Sequence, residues 1–240
     1  LGNLDGSRAL MDAYGRRLRE VISFDLGFDT LVTRAVGSAR YRITVRTAGG
    51  HSYGNFGNRS AVHAAAELIC ALYDQPVPQS HKTTFNVGKL TGGTSVNTIP
   101  EQAELLYEYR SESAACMAQM QRQFEAVLAR FNVRGARLKV EQIGLRPGMG
   151  TCRDEKRQAA LTARAEQVLT RVMGAPPVQK SGSTDCNIPF SMGIPSVSFG
   201  LVDDCGAHTR HESVALVSLP RGLEAALRFI APYFGLPVFD

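Results

Sequence analysis

Between residues 39 and 147 the apolar positions change period in a regular order. In "RYRITVRTAGG", Tyr41, Ile43 and Val45 alternate with basic residues, the period of a strand with one face in a core. "NRSAVHAAAELICALYDQ" then places Val62, Ala65, Ala66, Ile69 and Leu72 at helical spacing, and "PVP" stops that helix. "KTTFNVGKLTGG" and "QAELLYEYRSES" read as two further strands joined by the turn-rich "GGTSVNTIPE". Behind Ser113, a plausible N-cap, Met117, Met120, Phe124, Val127, Leu128 and Phe131 mark the apolar face of a second helix. "ARLKVEQIGLRP" closes the stretch as a strand. The order βαββαβ predicts a ferredoxin-like unit, one sheet with two helices on one face.

The flanking segments follow another style. A helix is expected over residues 6–20, with Leu10, Tyr14 and Leu18 on one side, then a short buried strand in "VISFDLGF". Past residue 148 come a helix near 155–173, a glycine-rich turn "KSGSTDCN", a buried strand "IPSVSFG", the loop "GAHTRHES", and a last helix from Pro220 to about 233. Neither flank makes a full domain alone. The expected organisation is therefore an α/β domain split into residues 1–38 and 149–240, with the small unit of 39–148 inserted. Because neither flank is complete, most of the larger domain is expected to precede Leu1; the chain also opens on "LGNLDGSRAL" with no initiator Met.

Composition adds limits. A chain of 240 residues with 44% hydrophobic and 20% charged residues expects a buried core. The net charge of +5 comes from 27 Lys and Arg against 22 Asp and Glu, dispersed along the chain, which reads as solvated faces and points to no nucleic-acid partner. The strands of the 39–148 unit also lack the paired aromatics of an RNA-binding sheet. Five cysteines without a CxxC pair predict neither a disulfide framework nor a thiolate metal site and fit a reducing cytoplasm. No apolar run reaches the ~18 residues of a membrane span, so no membrane partner is expected.

Candidate chemistry is sparse. "GAHTRHES" holds two of the five histidines, His208 and His211, with Glu212. Asp25 ends an apolar strand, a position where α/β folds place chemistry, but Asp before a turn also serves as its cap. His51 lies among glycines in "GGHSYG". Asn97 sits in "SVNTIP" and Arg110 in "EYRS", and the planar fork of an arginine suits a carboxylate. Gly182 and Ser183, in "SGSTDCN", could present backbone N–H groups and a hydroxyl to an anion, or form a purely structural turn that Asp185 ties together.

"GGHSYGNFGNRSAV", "GGTSVNTIPEQAELLYEYRS", "SGSTDCNIPFSMGIPSVSFG" and "GAHTRHES", in this order, resemble the M20 family of metallopeptidases, which includes aminoacylases, carboxypeptidases, tripeptidases and deacylases. The resemblance covers nearly the whole chain, from just after the point where the family carries its catalytic glutamate. It implies a zinc-peptidase-like α/β catalytic domain, present here in its C-terminal portion, with an inserted ferredoxin-like lid that mediates homodimerisation. It further implies zinc, two ions per complete enzyme, or other divalent metals, with Asp25 a ligand of one ion and His208 of the other. His51 becomes a catalytic residue reaching across the dimer to an oxyanion. Asn97, Arg110, Gly182 and Ser183 become substrate contacts, and His211 and Glu212 are set aside. The implied substrate is a small peptide or an N-acyl amino acid, with this chain inactive alone. The rival reading is a non-catalytic dimerisation or binding module.

Overall fold

A computed structural model of the chain describes residues 3–131, 136–207 and 209–236. Two compact units emerge, one built on Gly37–Arg146 and the other on Leu4–Val36 together with the chain from Pro147 onward. Along the chain, the discontinuous unit begins with α1 (Asp5–Tyr14), β1 (Val21–Phe24) and β2 (Thr30–Ala35). The continuous unit follows as β3 (Gly37–Arg46), β4 (Gly50–His51), α2 (Ala61–Tyr73), β5 (Thr83–Gly92), β6 (Thr98–Ile99), β7 (Gln102–Ser111), α3 (Ala114–Phe131) and β8 (Arg137–Arg146). The first unit resumes with α4 (Glu155–Met173), β9 (Val178–Gly182), α5 (Asn187–Ser191), β10 (Ser196–Phe199), β11 (Asp204–Cys205), β12 (Ser213–Val214) and α6 (Leu219–Ile230), which ends in a 3-10 turn, Ala231–Phe234.

In the continuous unit four long strands lie in the order β5-β7-β3-β8, every pair antiparallel. This is the ferredoxin-like arrangement that the βαββαβ order predicts. Tyr41, Ile43, Val45, Leu105, Tyr107 and Tyr109 bury one face of that sheet against α2 and α3. Two of the phenols have partners: Tyr41 Oη donates to Gln121 Oε1 at 2.6 Å and accepts from Gln142 Nε2 at 3.0 Å, and Tyr109 donates to the same Gln121 oxygen. Burial raises the phenol pKa of Tyr107 and Tyr109 well above the ordinary tyrosine value. The opposite face carries a ladder of ion pairs, Arg42 with Glu104 and Arg40 with Glu108. Ser60 caps α2 by accepting from His63 N, and Ser113 Oγ accepts from Cys116 N in α3, as its sequence position suggests. The buried face of α2 runs through Ala61, Ala64, Ala65, Leu68 and Leu72, rotated from the expected set so that Val62 and Ile69 are only partly buried.

In the discontinuous unit the sheet order is β1-β10-β2-β9, with β1 parallel to β10, β10 antiparallel to β2, and β2 parallel to β9. Phe28, Leu31, Val197 and Phe199 pack with Leu161 and Leu169 of α4 and Phe229 of α6, and Met11, Ile188 and Ile194 form a smaller cluster. Several sequence expectations shift here. The first helix stops at Tyr14, short of residue 20, and it buries Met11 while Leu10 and Tyr14 stay exposed. "VISFDLGF" is not one strand: β1 ends at Phe24 because Leu26 takes a left-handed φ of 80°. β2 escaped the pattern because most of its residues are buried and no clean alternation marks it. Lys180 to Gly182, expected in a turn, belong instead to β9, leaving the turn to start at Ser183.

That turn is tied by Asn187, not by Asp185. Asn187 is fully buried. Its Nδ2 donates to Val36 O and to Pro147 O, both at 2.9 Å, and its Oδ1 accepts from Thr184 N at 2.9 Å. Val36 and Pro147 are the residues where the chain leaves this unit and returns to it. One buried amide therefore satisfies three backbone groups, the N–H of buried Thr184 and two carbonyls at part-buried positions.

All five cysteines are free thiols, and among the described residues no helix is long and apolar enough to cross a membrane. Cys186 is buried and its thiol pKa is pushed up to about 12 by burial, whereas Cys70 and Cys205 are exposed. Brief alkylation of the native chain by iodoacetamide at pH 8 is expected to modify Cys70 and Cys205 and to spare Cys186 until denaturant is added, read by peptide mass spectrometry. Asn187→Ala should lower unfolding stability by about 2–4 kcal/mol in urea titrations, since three backbone partners lose one side chain. A loss below about 0.5 kcal/mol would remove Asn187 from its role.

Candidate active-site elements

The best-defined local geometry surrounds His51. After β3 the backbone turns through Gly49 and Gly50, with φ of +63° and +136°. A Cβ on Gly49 would stand 2.1 Å from Glu101 Cγ, and one on Gly50 would stand 2.7 Å from Asn55 Cβ. Only glycine fits this turn. The turn lays β4 against β6, pairing Gly50 with Ile99 and His51 with Thr98. Ser52 N then donates to Asn97 O at 2.9 Å, so His51 and Asn97 become neighbours although 46 positions separate them.

Both side chains are oriented by local hydrogen bonds. His51 Nδ1 accepts from Tyr53 N at 3.3 Å and Gly54 N at 3.2 Å. With that nitrogen acting as acceptor, the proton of the neutral ring belongs on Nε2, which is left as a donor. Asn97 Oδ1 accepts from Ser95 Oγ at 2.7 Å, which assigns the donor role to its Nδ2. Two residues outside the expected set build the turn: Asn55 Oδ1 accepts from His51 N at 2.9 Å, and Asn58 Nδ2 donates to Gly49 O at 2.6 Å. Asn is a turn residue by its own side-chain hydrogen bonding, the only signal in the sequence for either. A groove of about 700 Å³, lined by His51, Gly93, Thr94, Thr98 and Glu101 among others, opens beside them.

Arg110 stands apart from this pair. It lies near the far end of β7, where Ser38 and Thr84 are its neighbours across the sheet. From the β6 end of β7 to Arg110 is about 25 Å at the rise of an extended strand. Its Nε and Nη2 donate to the two carboxylate oxygens of Glu108, each at 3.2 Å, and Glu108 also accepts from Arg40. The guanidinium fork is therefore engaged within the sheet face. One chain brings His51 and Asn97 together and leaves Arg110 elsewhere.

Asp25, Gly182 and Ser183 belong to the other unit. Asp25 is exposed just beyond the C-terminal end of β1, and its Oδ1 accepts from Leu26 N at 2.9 Å, the cap of the strained Leu26 turn. Gly182 pairs with Ala35 in β9, and a Cβ there would come within 2.8 Å of Val32, so packing already requires the glycine. Ser183 follows directly and is half-buried. His208 lies outside the described residues. His211 N donates to Thr209 Oγ1 at 3.1 Å, and Thr209 closes the loop by donating to Gly206 O. Among the described residues no three His, Cys, Asp or Glu side chains converge to hold a metal ion. Asp25 does not form a metal centre by itself.

Residues 33–146 match the family of the peptidase dimerisation domain of M20 type. A succinyl-diaminopimelate desuccinylase of Nitrosococcus oceani is 31% identical over 99 residues, which is 39% of this chain and 26% of the relative. Among solved structures, a Staphylococcus aureus tripeptidase superposes with a TM-score of 0.71 at 22% identity over 95% of this chain. Aminopeptidase PepT of Bacillus cereus gives 0.67, also at 22% identity and 95% coverage. This chain spans 60% and 61% of those two chains and about a quarter of the desuccinylase.

Removing the Asn55 carboxamide tests whether the His51 turn is held as described. Asn55→Ala should reduce hydrogen-exchange protection across residues 51–58 by about 1 kcal/mol, the worth of a single hydrogen bond, while global stability stays unchanged. In nitrogen-15 spectra at pH 8, His51 should appear as the Nε2–H tautomer in the wild-type chain.

Proposed function

Because residues 33–146 belong to the M20-type peptidase dimerisation domain and the described chain has the fold of the M20 peptidases, we propose that it is part of a metal-dependent hydrolase. The bond cleaved is an amide, in a small peptide or an N-acyl amino acid. The observation that carries this reading is the pinning of His51 beside Asn97, with one nitrogen of each available to donate. Donors fixed in advance by backbone contacts stabilise the oxyanion that forms when water attacks an amide carbonyl, because they need no reorganisation as charge develops.

The separation of Arg110 from that pair suggests a division of labour. In a homodimer formed through the continuous unit, His51 and Asn97 of one subunit serve a reaction centre in its partner, and Arg110 holds the carboxylate end of the substrate. Gly182 and Ser183 contribute backbone and hydroxyl contacts to the same substrate. Zinc, or another divalent metal, is proposed as the cofactor of the complete enzyme, with Asp25 and His208 as this chain's share of the ligands. When bound, such a metal polarises the carbonyl and lowers the pKa of the attacking water. The five free thiols fit a working place in the reducing cytoplasm.

The test is enzymatic and elemental. The 240-residue chain alone is expected to hydrolyse neither dipeptides nor N-acetyl amino acids, and the full-length product of its gene is expected to do so and to contain zinc by mass-spectrometric metal analysis. In that product His51→Ala should lower kcat by about 10²- to 10³-fold with little change in KM. Mixing it with an Asp25→Ala product should restore part of the activity, because mixed dimers regain one intact site. Metal-free protein with no hydrolytic activity would instead favour a non-catalytic dimerisation module.

A further inference from the structure

Three segments of the discontinuous unit meet where strand β1 begins. Val21 N donates to Pro195 O at 2.9 Å, which sets the loop before β1 beside the entry to β10. Arg153 N donates to Gly193 O at 2.8 Å. Gln158 of α4 exchanges two bonds with the backbone of Ser196, accepting from its N at 2.8 Å and donating to its O at 2.9 Å. The first turn of α4 is thereby held against the same two loops. A cavity of about 340 Å³ lies between them.

Its lining is dominated by one sign of charge. Arg19, Arg153 and Arg157 line it, with a single carboxylate, Asp154. Arg157 is fixed and partly offset: its Nη1 donates to Glu20 at 3.3 Å, and its Nε stands 3.5 Å from Asp154. Asp154 is engaged as well, since its Oδ1 caps α4 by accepting from Arg157 N at 2.9 Å. Glu20 also accepts from Arg164 and from Tyr233. Neither Arg19 nor Arg153 has an acidic partner among the described residues. Arginines scattered over a flat surface are solvated one by one; like charges held around one concavity concentrate an anion there. The remaining lining is apolar, from Leu18 and from Ile194 and Pro195, which are buried.

We infer that this cavity binds a small phosphate monoester, with Arg19 and Arg153 on the phosphate and the organic group against Leu18, Ile194 and Pro195. A carboxylate has two oxygens and is matched by one guanidinium fork. A phosphate monoester presents three oxygens and a charge of about −1.5 to −2 at neutral pH, so it occupies more than one fork. The volume lies at the small end of ligand cavities, roughly 300–1,000 Å³, which suits a monophosphate carrying one ring rather than a dinucleotide or a polymer. The site stands on the geometry of the discontinuous unit and does not use the hydrolase reading. Arg19 precedes β1 and Asp25 follows it, so the two lie at opposite ends of one strand.

Arginine protection in the full-length product of the gene tests the inference. Phenylglyoxal should modify Arg19, Arg153 and Arg171, all exposed, as read by peptide mass spectrometry. Phenyl phosphate at about ten times its Kd should slow modification of Arg19 and Arg153 about tenfold and leave Arg171, near the other end of α4, unchanged. Inorganic phosphate should protect the same two residues more weakly, and benzoate should not protect them. In titration calorimetry, Arg19→Ala with Arg153→Ala should weaken phenyl phosphate binding by at least about tenfold, the loss of two charge-assisted contacts. Protection is read on the unmodified sequence, so it decides the matter whether or not the double variant folds. No protection, equal slowing at Arg171, protection by benzoate, inorganic phosphate binding as tightly as phenyl phosphate, or a folded double variant that binds like the wild type would each overturn the inference. A phosphate held at a metal does not protect these arginines, so the site and the hydrolase reading can fail separately.

Discussion

The buried amide of Asn187 is the contact on which the architecture depends. A chain that leaves one unit at Val36 and returns at Pro147 presents two part-buried backbone carbonyls beside the buried Asn187, and each takes a donor from it. Asn187 meets both with a single NH₂ group, and its oxygen closes the turn at Thr184. Without that amide the burial of Ala35, Cys186 and Phe190 beside it would leave polar backbone groups unpaired in an apolar setting. The continuous unit, in contrast, owes its order to an ordinary core of aromatic and aliphatic side chains between one sheet and two helices.

The same logic of fixed hydrogen bonds governs the His51 turn. Gly49 and Gly50 allow a path that other residues would block, and Asn55 and Asn58 then fix the backbone of the turn. The ring is exposed, but its tautomer is set by two backbone N–H groups. An exposed side chain held in one state by its own loop has paid the ordering cost in advance, which suits a group that must act on a transient charge. Arg110, locked to Glu108 on the far end of β7, shows the opposite situation, a cation whose first partner lies in its own strand.

Much of this was legible in residue order, and some was not. The alternation of Tyr41, Ile43 and Val45 and the apolar face of α3 led directly to the ferredoxin-like sheet, because each element there has one buried and one open side. β2 left no comparable trace, since four of its six residues are buried with no alternation. Asp185 stays exposed while Asn187, two residues on, makes the bonds, and polar residues in a turn do not reveal which of them will be buried. For the candidate site, His51, Asn97 and Arg110 were each visible as residue types. Their grouping was not, because it depends on register across β4, β6 and β7.

By itself the sequence determined the element order, the inserted position of the βαββαβ stretch and the motifs that resemble the M20 peptidases, because period, glycine placement and local spacing are properties of neighbouring residues. Tertiary structure alone decided which polar groups became buried partners, which histidine nitrogen was left to donate, and that β1 ends at Phe24. Those outcomes are set by contacts between segments far apart in the chain, where burial, rather than the identity of a residue, decides what each group must do.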